Sequence, residues 1–366
     1  METTETETPR PESVRSRVLY STYSYAFQIF GGAEIQMLKT KEYIEKAGRW
    51  KVKLFNMFSD KLEQYDILHV FSMHQDSLLL YRKAKDAGLK LVLSPIYWDL
   101  ITRRMSRIIG PSSFIRFYSN LKSYRVPTFR QMYPFKDFLD LADVILPTSK
   151  MEADSLSRNF KVSSEKFQVV PNAVEQRFAS ADPTMFVQKH GIKDFVLYVG
   201  RIERLKNPLG LIQTCRDLDI PFVIIGAPNI GDREYFEECM REVHSSPKDR
   251  MIGFLPHNSE ELSSAYAAAK VFALASDHET PSLAALEAGL AGCNVVITVR
   301  GSTREYFGDH ALYVNPTSKE DIKEKILEAY EKPKNDGLKR YILKNYTWER
   351  TAEKTVRAYE RVLSGS

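Results

Sequence analysis

The feature that most constrains the fold is a repeated alternation of short apolar runs with amphipathic helical segments. Near the start of the chain, apolar runs at 18–22, 66–70 and 89–93 alternate with helical patterns such as 33–47. Continuous apolar runs of this length are typical of parallel strands buried on both faces, and the segments between them are typical of crossover helices. We therefore predict an α/β protein built from βαβ units.

The alternation occurs twice, which predicts two domains. A second series runs from the apolar segment 195–200 to the segment 295–297. We expect two Rossmann-like doubly wound domains facing a central cleft, because ligands bind beyond the carboxyl ends of parallel strands. The predicted parts are a disordered tail (1–17), an N-terminal domain (18–180), a C-terminal domain (181–345) and a last segment (346–366) whose helix packs back on the N-terminal domain.

The most informative segment, His278–Gly289, follows an apolar strand and leads into an apolar helix. Thr280 is the expected N-cap and Pro281 the expected first helical residue. The backbone N–H groups of Ser282 and Leu283 would then lie at the positive end of the helix dipole, where a diphosphate can bind.

Two carboxylates belong to the same segment. Glu287 lies within the helix and could accept hydrogen bonds from ribose hydroxyls, and Glu279 at the strand end could accept them from a sugar. A plain capped helix with an acidic flank and a surface glutamate is the alternative interpretation.

A second loop also follows a strand and enters a helix. After the apolar run that ends at Gly200, it carries Arg201 and Lys206. Two cations at this spacing could neutralise a departing pyrophosphate. A solvated basic turn is the alternative, although a second phosphate-compatible loop in the same domain favours the binding site.

These motifs resemble the GT4 family of retaining glycosyltransferases, which have the GT-B fold. The resemblance covers about residues 18–360 and rests on Gly31-Gly32-Ala33-Glu34, Pro171-Asn172, Gly200-Arg201, Lys206-Asn207, Glu279 and Glu287 with seven residues between them, and Gly301–Glu305. It implies a hexosyltransferase that binds a nucleotide diphosphate sugar mainly in its C-terminal donor domain, with an acceptor at its N-terminal domain.

The resemblance also implies roles for single residues. Glu279, Arg201 and Lys206 are the expected catalytic group, with Glu279 on the donor sugar and the two cations on the diphosphate. Gly31 and Gly32 would let a loop approach the diphosphate closely. The expected donor-binding residues are Gly31, Gly32, Gly200, Arg201, Lys206, Thr280, Pro281, Ser282, Leu283 and Glu287.

The sequence departs from the family on the acceptor side. Family members often have a histidine after the strand that here ends at Ser94-Pro95. Candidates for this side are His69, His74, Tyr97, Trp98 and Asp99. A single histidine can equally be a packed or surface residue.

Other functional classes lack their signatures. The chain has no GxGxxG after its first strand, and Gly226–Gly231 lacks the Lys-Ser/Thr of a P-loop. We expect no cofactor, no metal and no nucleic acid partner. The three cysteines lie far apart and no apolar run reaches the roughly 18 residues of a membrane span, so we expect a cytoplasmic protein.

An insert at 101–136 is basic and amphipathic. It has eight Lys and Arg residues and no acid, interleaved with bulky apolar side chains. Arg103, Arg104, Arg107 and Arg116 could contact anionic lipid or an anionic acceptor, which would make the protein peripheral to the inner face of a membrane. A helical excursion with solvated arginines is the alternative.

The sequence thus predicts a retaining, metal-independent glycosyltransferase whose acceptor is lipid-linked or a cell-surface glycan precursor. Two alternatives stay open. One is a nucleotide-sugar epimerase or a phosphorylase of the same fold, and the other is a catalytically silent binding or scaffold protein.

Overall fold

A computed structural model describes residues 17–28, 31–48, 50–97, 129–229 and 231–365. For 129–133 it describes the backbone alone. The chain forms two compact units. Unit 1 comprises Met1–Pro147, Ser157–Gln168 and Ala352–Ser366, and unit 2 comprises Thr148–Leu156 and Val169–Thr351.

Unit 1 is built on a parallel sheet of five strands. The strands are β1 (Arg17–Ser21), β2 (Lys51–Leu54), β3 (Ile67–Phe71), β4 (Lys90–Ser94) and β5 (Val144–Ile145), in the order β2-β1-β3-β4-β5. The helices are α1 (Gly32–Lys46), α2 (Leu78–Asp86), α3 (Phe129–Leu141) and α4 (Lys150–Phe160), the last of which begins in unit 2. All five side chains of β3 are buried, which explains why its sequence is apolar apart from His69.

Unit 2 is built on a parallel sheet of six strands. The strands are β6 (Val196–Val199), β7 (Phe222–Ile225), β8 (Arg250–Gly253), β9 (Val271–Leu274), β10 (Asn294–Thr298) and β11 (Leu312–Val314), in the order β11-β10-β9-β6-β7-β8. The helices are α5 (Thr184–His190), α6 (Pro208–Asp217), α7 (Arg233–His244), α8 (Glu260–Ala268), α9 (Leu283–Leu290), α10 (Thr303–Phe307), α11 (Lys319–Glu331) and α12 (Gly337–Asn345). The predicted α/β class with two doubly wound parallel sheets is therefore confirmed.

Serine side chains define the starts of several helices in unit 2. Ser259 Oγ accepts a hydrogen bond from Leu262 N at 3.2 Å, at the start of α8. Ser318 Oγ accepts one from Asp321 N at 3.2 Å, at the start of α11. Each hydroxyl accepts a hydrogen bond from a backbone N–H group that has no carbonyl partner in the first turn of the helix.

The last helix, α13 (Trp348–Ser364), enters unit 1 at Ala352. Within unit 1, Tyr359 of α13 is buried and contacts residues of both β1 and β3. Its hydroxyl lies 2.8 Å from the Tyr20 hydroxyl and 2.6 Å from Nδ1 of His69. The polar contacts between α13 and the sheet of unit 1 are therefore buried.

The structure differs from the sequence-based expectation at 167–180. The sequence of Phe167–Val170 is typical of a strand, but the structure has only an isolated bridge between Phe167 and Ile145. The neighbouring strand β5 is two residues long, so it offers few backbone groups for pairing. Unit 2 already includes Phe178, whose ring packs 5.6 Å from that of Tyr266, whereas the sequence-based boundary lay at 180.

Candidate functional site

The loops that carry the predicted donor residues follow neighbouring strands of unit 2. One loop follows β6, another follows β9 and a third follows β10, and these strands are adjacent in the sheet. All strands of the sheet are parallel, so the three loops leave from the same edge. This edge is where ligands bind in open parallel sheets.

The loop after β6 is held by a close backbone contact. Gly200 N donates a hydrogen bond to Ile225 O at 3.0 Å. A Cβ at Gly226, which has a φ of +158°, would lie 1.9 Å from the Gly200 carbonyl oxygen. Glycine at 226 is therefore required by the approach of the two strand ends.

The two predicted cations of this loop differ in exposure. The side chain of Arg201 is 51% exposed, and its Nη2 lies 3.4 Å from Glu203 Oε1. Glu203 is buried, and its Oε2 accepts a hydrogen bond from Asn229 Nδ2 at 2.7 Å. Sequence reasoning missed Glu203 and Asn229, which support the loop; their only sequence signal is a position just after β6 and β7.

Lys206 and Glu279 form a buried ion pair. Lys206 Nζ lies 2.5 Å from Glu279 Oε1, and the two side chains are 15% and 3% exposed. The structure thus brings together two predicted catalytic residues that lie 73 positions apart. A buried carboxylate is costly unless it is paired, so the ammonium and the carboxylate hold each other in place.

Gly301 positions Glu279. Ser302 N donates a hydrogen bond to Glu279 O at 3.0 Å, and Glu279 N donates one to Arg300 O at 3.1 Å. A Cβ at Gly301, where φ is +101°, would lie 1.7 Å from the Glu279 carbonyl oxygen. The loop after β10 can approach Glu279 in this way only with glycine at 301.

The start of α9 corrects one expectation. We expected Thr280 as the N-cap and Pro281 as the first helical residue, but α9 begins at Leu283 with Ser282 as its N-cap. Ser282 Oγ accepts a hydrogen bond from Ala285 N at 3.3 Å. Ser282 thus pairs the amide at the third helical position, and the helix starts two positions later than we expected.

This shift also changes the amides that remain for a ligand. Leu283 and Ala284 occupy the first two helical positions, where no carbonyl lies four residues back within the helix. Of the two amides we predicted for a diphosphate, Leu283 keeps this property and Ser282 becomes the cap. Thr280 and Pro281 lie in the loop before the cap.

Glu287 is buried in α9 and bound through both carboxylate oxygens. Its Oε2 accepts a hydrogen bond from the Tyr266 hydroxyl at 2.8 Å, and its Oε1 lies 2.7 Å from His257 Nε2. Burial, with the nearby Glu287 charge, raises the pKa of Tyr266 well above its ordinary value. The predicted ribose-binding carboxylate is therefore held by its own protein partners.

His257 and Tyr266 were missed by the sequence analysis. His257 Nδ1 also lies 3.7 Å from Glu175 Oε2, so the ring stands between two carboxylates. Arg177 donates a hydrogen bond to the His257 carbonyl oxygen at 2.5 Å. The signal that could have found His257 is its position four residues after β8, at the same sheet edge as the other loops.

In unit 1, the predicted glycines lie at the start of α1. Gly31 is the N-cap, with an extended φ of −156°, and Gly32 is the first helical residue. Gly31 N donates a hydrogen bond to Glu34 Oε2 at 2.8 Å, and the Tyr23 hydroxyl donates to Glu34 Oε1. The backbone at Gly31 therefore needs no left-handed conformation.

His69 is a core residue, which corrects its proposed place on the acceptor side. The ring is buried in β3, stacks on Phe71 at 4.2 Å and has Nε2 2.9 Å from Ser94 Oγ. Burial lowers the pKa of His69 to about 3. An imidazole enclosed in this way cannot reach an acceptor.

Tyr97 is also buried, and the remaining acceptor-side candidates fall outside the description. The Tyr97 ring lies 5.7 Å from that of Phe160, and its hydroxyl accepts a hydrogen bond from Asn159 Nδ2 at 3.1 Å. Burial against these partners argues against a direct contact with an acceptor. The predicted residues outside the described part of the chain are Trp98, Asp99, Arg103, Arg104, Arg107 and Arg116, together with the tail 1–16.

His74 is the predicted acceptor-side residue that the structure leaves accessible. Its side chain is 42% exposed and lies in the segment after β3. Its Nε2 is 3.3 Å from the Tyr25 hydroxyl, and its ring is 4.8 Å from that of Tyr23. The loops after β1 and β3 therefore meet in a small aromatic cluster.

Within the described ranges, no group of three or more His, Cys, Asp or Glu side chains is arranged to hold a metal ion. In the same residues, no helix combines the length and apolar character needed to cross a bilayer.

Comparison with known proteins identifies the second half of the chain. Residues 184–348 match the family described as Glycosyl transferases group 1. These residues are a group 1 glycosyltransferase domain. The domain contains Arg201, Lys206, Glu279 and Glu287, and so includes the whole sheet edge described above.

A curated relative of this domain comes from Campylobacter jejuni. The chain is 31% identical over 172 residues to its N-acetylgalactosamine-N,N'-diacetylbacillosaminyl-diphospho-undecaprenol 4-alpha-N-acetylgalactosaminyltransferase. The match covers 46% of this chain and 45% of the relative. The chain thus matches less than half the length of that protein.

Solved structures resemble the chain over nearly its full length. Sucrose-phosphate synthase from Thermosynechococcus elongatus has a TM-score of 0.77 at 16% identity and covers 96% of this chain and 100% of its own. Anabaena HepE in complex with UDP has a TM-score of 0.71 at 14% identity and covers 94% and 99%. The predicted GT-B fold, with two Rossmann-like units, is confirmed.

Proposed function

We propose that the protein is a glycosyltransferase that transfers a hexose from a nucleotide diphosphate sugar to an acceptor hydroxyl. The observation that carries the proposal is the buried Lys206–Glu279 pair at the sheet edge of a group 1 glycosyltransferase domain. In this proposal Arg201 and Lys206 bind the diphosphate, and the amides at the start of α9 add the positive end of the helix dipole.

The proposed reaction exchanges one bond at the sugar C1 for another. The bond between C1 and the diphosphate oxygen breaks, a bond from the acceptor oxygen to C1 forms, and the acceptor hydroxyl loses its proton. Arg201 and Lys206 stabilise the charge that develops on the departing diphosphate, without a metal being required for that task. As a GT4-type enzyme it would retain the anomeric configuration, by attack on the face the diphosphate leaves, with that diphosphate accepting the proton.

The donor half of the proposal can be tested by thermal shift. The panel consists of UDP, GDP, ADP, dTDP and CMP, with their common sugar conjugates. A ligand that binds the folded state stabilises it by about 2.7 kcal/mol at a hundredfold excess over its Kd. The Anabaena HepE structure contains UDP, so UDP is the first nucleotide to examine.

We expect a shift with one nucleotide diphosphate, and a much smaller one in Glu287→Ala. The control is Glu324→Ala, because Glu324 is exposed on α11 and should leave the shift unchanged. A wild-type protein that responds to no nucleotide in the panel would contradict the proposed function. Hydrolysis of a bound donor to the free nucleotide would separate an enzyme from a silent binding protein.

For the acceptor, we propose a lipid-linked or cell-surface glycan precursor reached from a membrane surface. Two observations support it: the basic, acid-free segment 101–136 and the diphospho-undecaprenol in the name of the Campylobacter relative. Each cation near an anionic surface contributes about 1 kcal/mol. We expect the protein to pellet with vesicles containing an anionic lipid and not with neutral vesicles; equal pelleting would overturn this part.

A further inference from the structure

Three aromatic rings of unit 1 form a fixed corner on the protein surface. We call Tyr23, Tyr25 and His74 the aromatic corner. The ring centroid of Tyr23 lies 4.8 Å from that of Tyr25 and 4.8 Å from that of His74. The rings of Tyr25 and His74 stand at 87° to each other, with centroids 5.6 Å apart.

The aromatic corner is held by hydrogen bonds between the loops that carry it. Ser24 N, between the two tyrosines, donates to Asp76 Oδ2 at 2.7 Å, two residues after His74. Thr22 Oγ1 donates to the Phe71 carbonyl oxygen at 2.9 Å, and Ser77 Oγ donates to the Thr22 carbonyl oxygen at 3.0 Å. The rings are therefore preorganised, which lowers the entropy cost of binding a ligand.

The aromatic corner is not explained by core packing. Tyr25 is 46% exposed and the side chain of His74 is 42% exposed, whereas aromatic residues that serve packing bury their rings. The corner also follows the carboxyl ends of β1 and β3, which are adjacent in the sheet. Exposed rings at such an edge are suited to contact a ligand.

The polar groups around the rings narrow the ligand class. The Tyr25 hydroxyl lies 3.3 Å from Nε2 of His74, and Asp76 Oδ1 lies 3.7 Å from Nδ1 of the same ring, so hydrogen-bonding groups border the rings. A pyranose has an apolar face of C–H groups and a rim of hydroxyls, so it matches apolar ring faces bordered by hydrogen-bonding groups. A lipid chain could contact the rings but has no groups that hydrogen-bond with the polar rim.

We propose that the aromatic corner binds a pyranose ring of the acceptor. That this sugar belongs to an acceptor rests on the proposed glycosyltransferase function. The binding of a sugar to these side chains can be tested without any transfer. Tyr25 and His74 contact the sugar, and Tyr23 is a positioning residue, because its hydroxyl is held by Glu34.

The test is saturation-transfer NMR of the full chain with methyl α-glycosides. The probes are methyl α-D-glucopyranoside, methyl α-D-galactopyranoside, methyl α-D-mannopyranoside and methyl N-acetyl-α-D-galactosaminide. We expect saturation of the ring protons of at least one probe in the wild-type protein. Tyr25→Ala should weaken that binding about five- to tenfold, as expected for losing one aromatic contact.

Three further variants test whether the sugar binds at the aromatic corner. Tyr25→Phe keeps the ring and should keep most of the binding, and His74→Ala should weaken it as Tyr25→Ala does. Phe58→Ala is the matched control, because Phe58 is 93% exposed on the loop after β2 and lies outside the aromatic corner. Melting temperatures of all variants report whether each one folds.

The proposal is overturned if no methyl pyranoside shows saturation transfer with the wild-type protein. It is also overturned if Tyr25→Ala and His74→Ala bind the sugar as the wild-type protein does. The nucleotide panel distinguishes this failure from failure of the proposed function. Sugar binding at the aromatic corner without a response to any nucleotide would support the sugar site and contradict the donor site.

Discussion

At the residue scale, the buried pair of Lys206 and Glu279 links stability to the proposed chemistry. Glu279 is almost fully buried, so removal of the ammonium leaves a carboxylate with little access to water. Breaking one side of a buried pair is costly, whereas replacing both partners by neutral groups costs little. The same two side chains are proposed to contact the donor diphosphate and the donor sugar.

We predict that Lys206→Met lowers the free energy of unfolding by about 3–5 kcal/mol, while Lys206→Met with Glu279→Gln recovers most of that loss. The measurement is urea denaturation of the two single variants and the double variant. Both proteins with Lys206→Met should also lose affinity for the nucleotide diphosphate. A single variant that costs less than about 1 kcal/mol would show that the pair behaves as an exposed one.

A second prediction at the residue scale concerns His69 and the pH dependence of stability. Its pKa is about 3 in the folded protein against an ordinary value of 6.5, so the unfolded chain binds more protons between these pH values. Stability therefore falls as the pH falls below 6.5, by about 2 kcal/mol at pH 5. We expect His69→Gln to remove this part of the pH dependence.

The check is urea denaturation at pH 7.5 and at pH 5. The matched control is His74→Gln, which changes an exposed histidine of the same unit and should follow the wild-type protein. If His69→Gln loses as much stability on acidification as the wild-type protein does, the imidazole takes up a proton in the folded state.

Glu287 and its partners give a third prediction. His257→Leu removes the group 2.7 Å from Glu287 Oε1 and leaves a buried carboxylate oxygen without that partner. We expect a loss of about 1–3 kcal/mol in stability and weaker nucleotide binding. His257→Gln, which can still donate a hydrogen bond, should fall between the wild-type protein and His257→Leu in both measurements. Equal effects of the two substitutions would show that the hydrogen bond to Glu287 is unimportant.

At the element scale, the start of α9 is set by one side chain. Ser282 caps the helix through Ala285 N, and the loop before it contains Glu279. A cap determines which amides remain at the helix end, and hence which can bind an anion. Helix α11 is capped in the same way by Ser318, which follows β11, the edge strand of the sheet next to β10.

We predict that Ser282→Ala costs about 0.5–2 kcal/mol in stability and weakens binding of the nucleotide diphosphate. Ser318→Ala is the matched control: it should cost a similar amount of stability and leave nucleotide binding unchanged. Urea denaturation and the thermal-shift panel measure the two effects. Loss of nucleotide binding in Ser318→Ala would mean that the effect comes from stability alone.

At the scale of the whole molecule, the chain has two sheets of the same type with different candidate roles. The sheet edge of unit 2 has buried ionic and amide groups after β6 and β9, suited to an anion. The sheet edge of unit 1 has exposed rings after β1 and β3, suited to a neutral sugar. One architecture therefore presents two different chemistries, because the loops and not the strands carry them.

Hydrogen exchange can test this division. We expect the nucleotide that binds in the thermal-shift panel to slow amide exchange at 200–207 and 280–285, since binding a ligand stabilises the segments that contact it. The loop 55–60 after β2 is the internal reference and should exchange at an unchanged rate. Protection at 55–60 with none at 200–207 would contradict the donor site in unit 2.

The amino-acid sequence by itself determined the class of fold and indicated the loops of the candidate site. Parallel strands buried on both faces need continuous apolar residues, so β3, β6 and β9 are visible as runs. Glycines at strand ends mark close backbone approaches, and Gly200 and Gly301 lie at such places. These signals are local, which is why they can be recognised along the chain.

Only the tertiary structure decided which of the predicted side chains are near one another or reach the surface. His69 and His74 are five positions apart, but one lies in β3 against Tyr359 and the other in the loop after β3. The partners of Glu287 come from α8 and from the loop after β8. Burial and partner choice depend on residues distant along the chain, and a local sequence pattern contains no record of them.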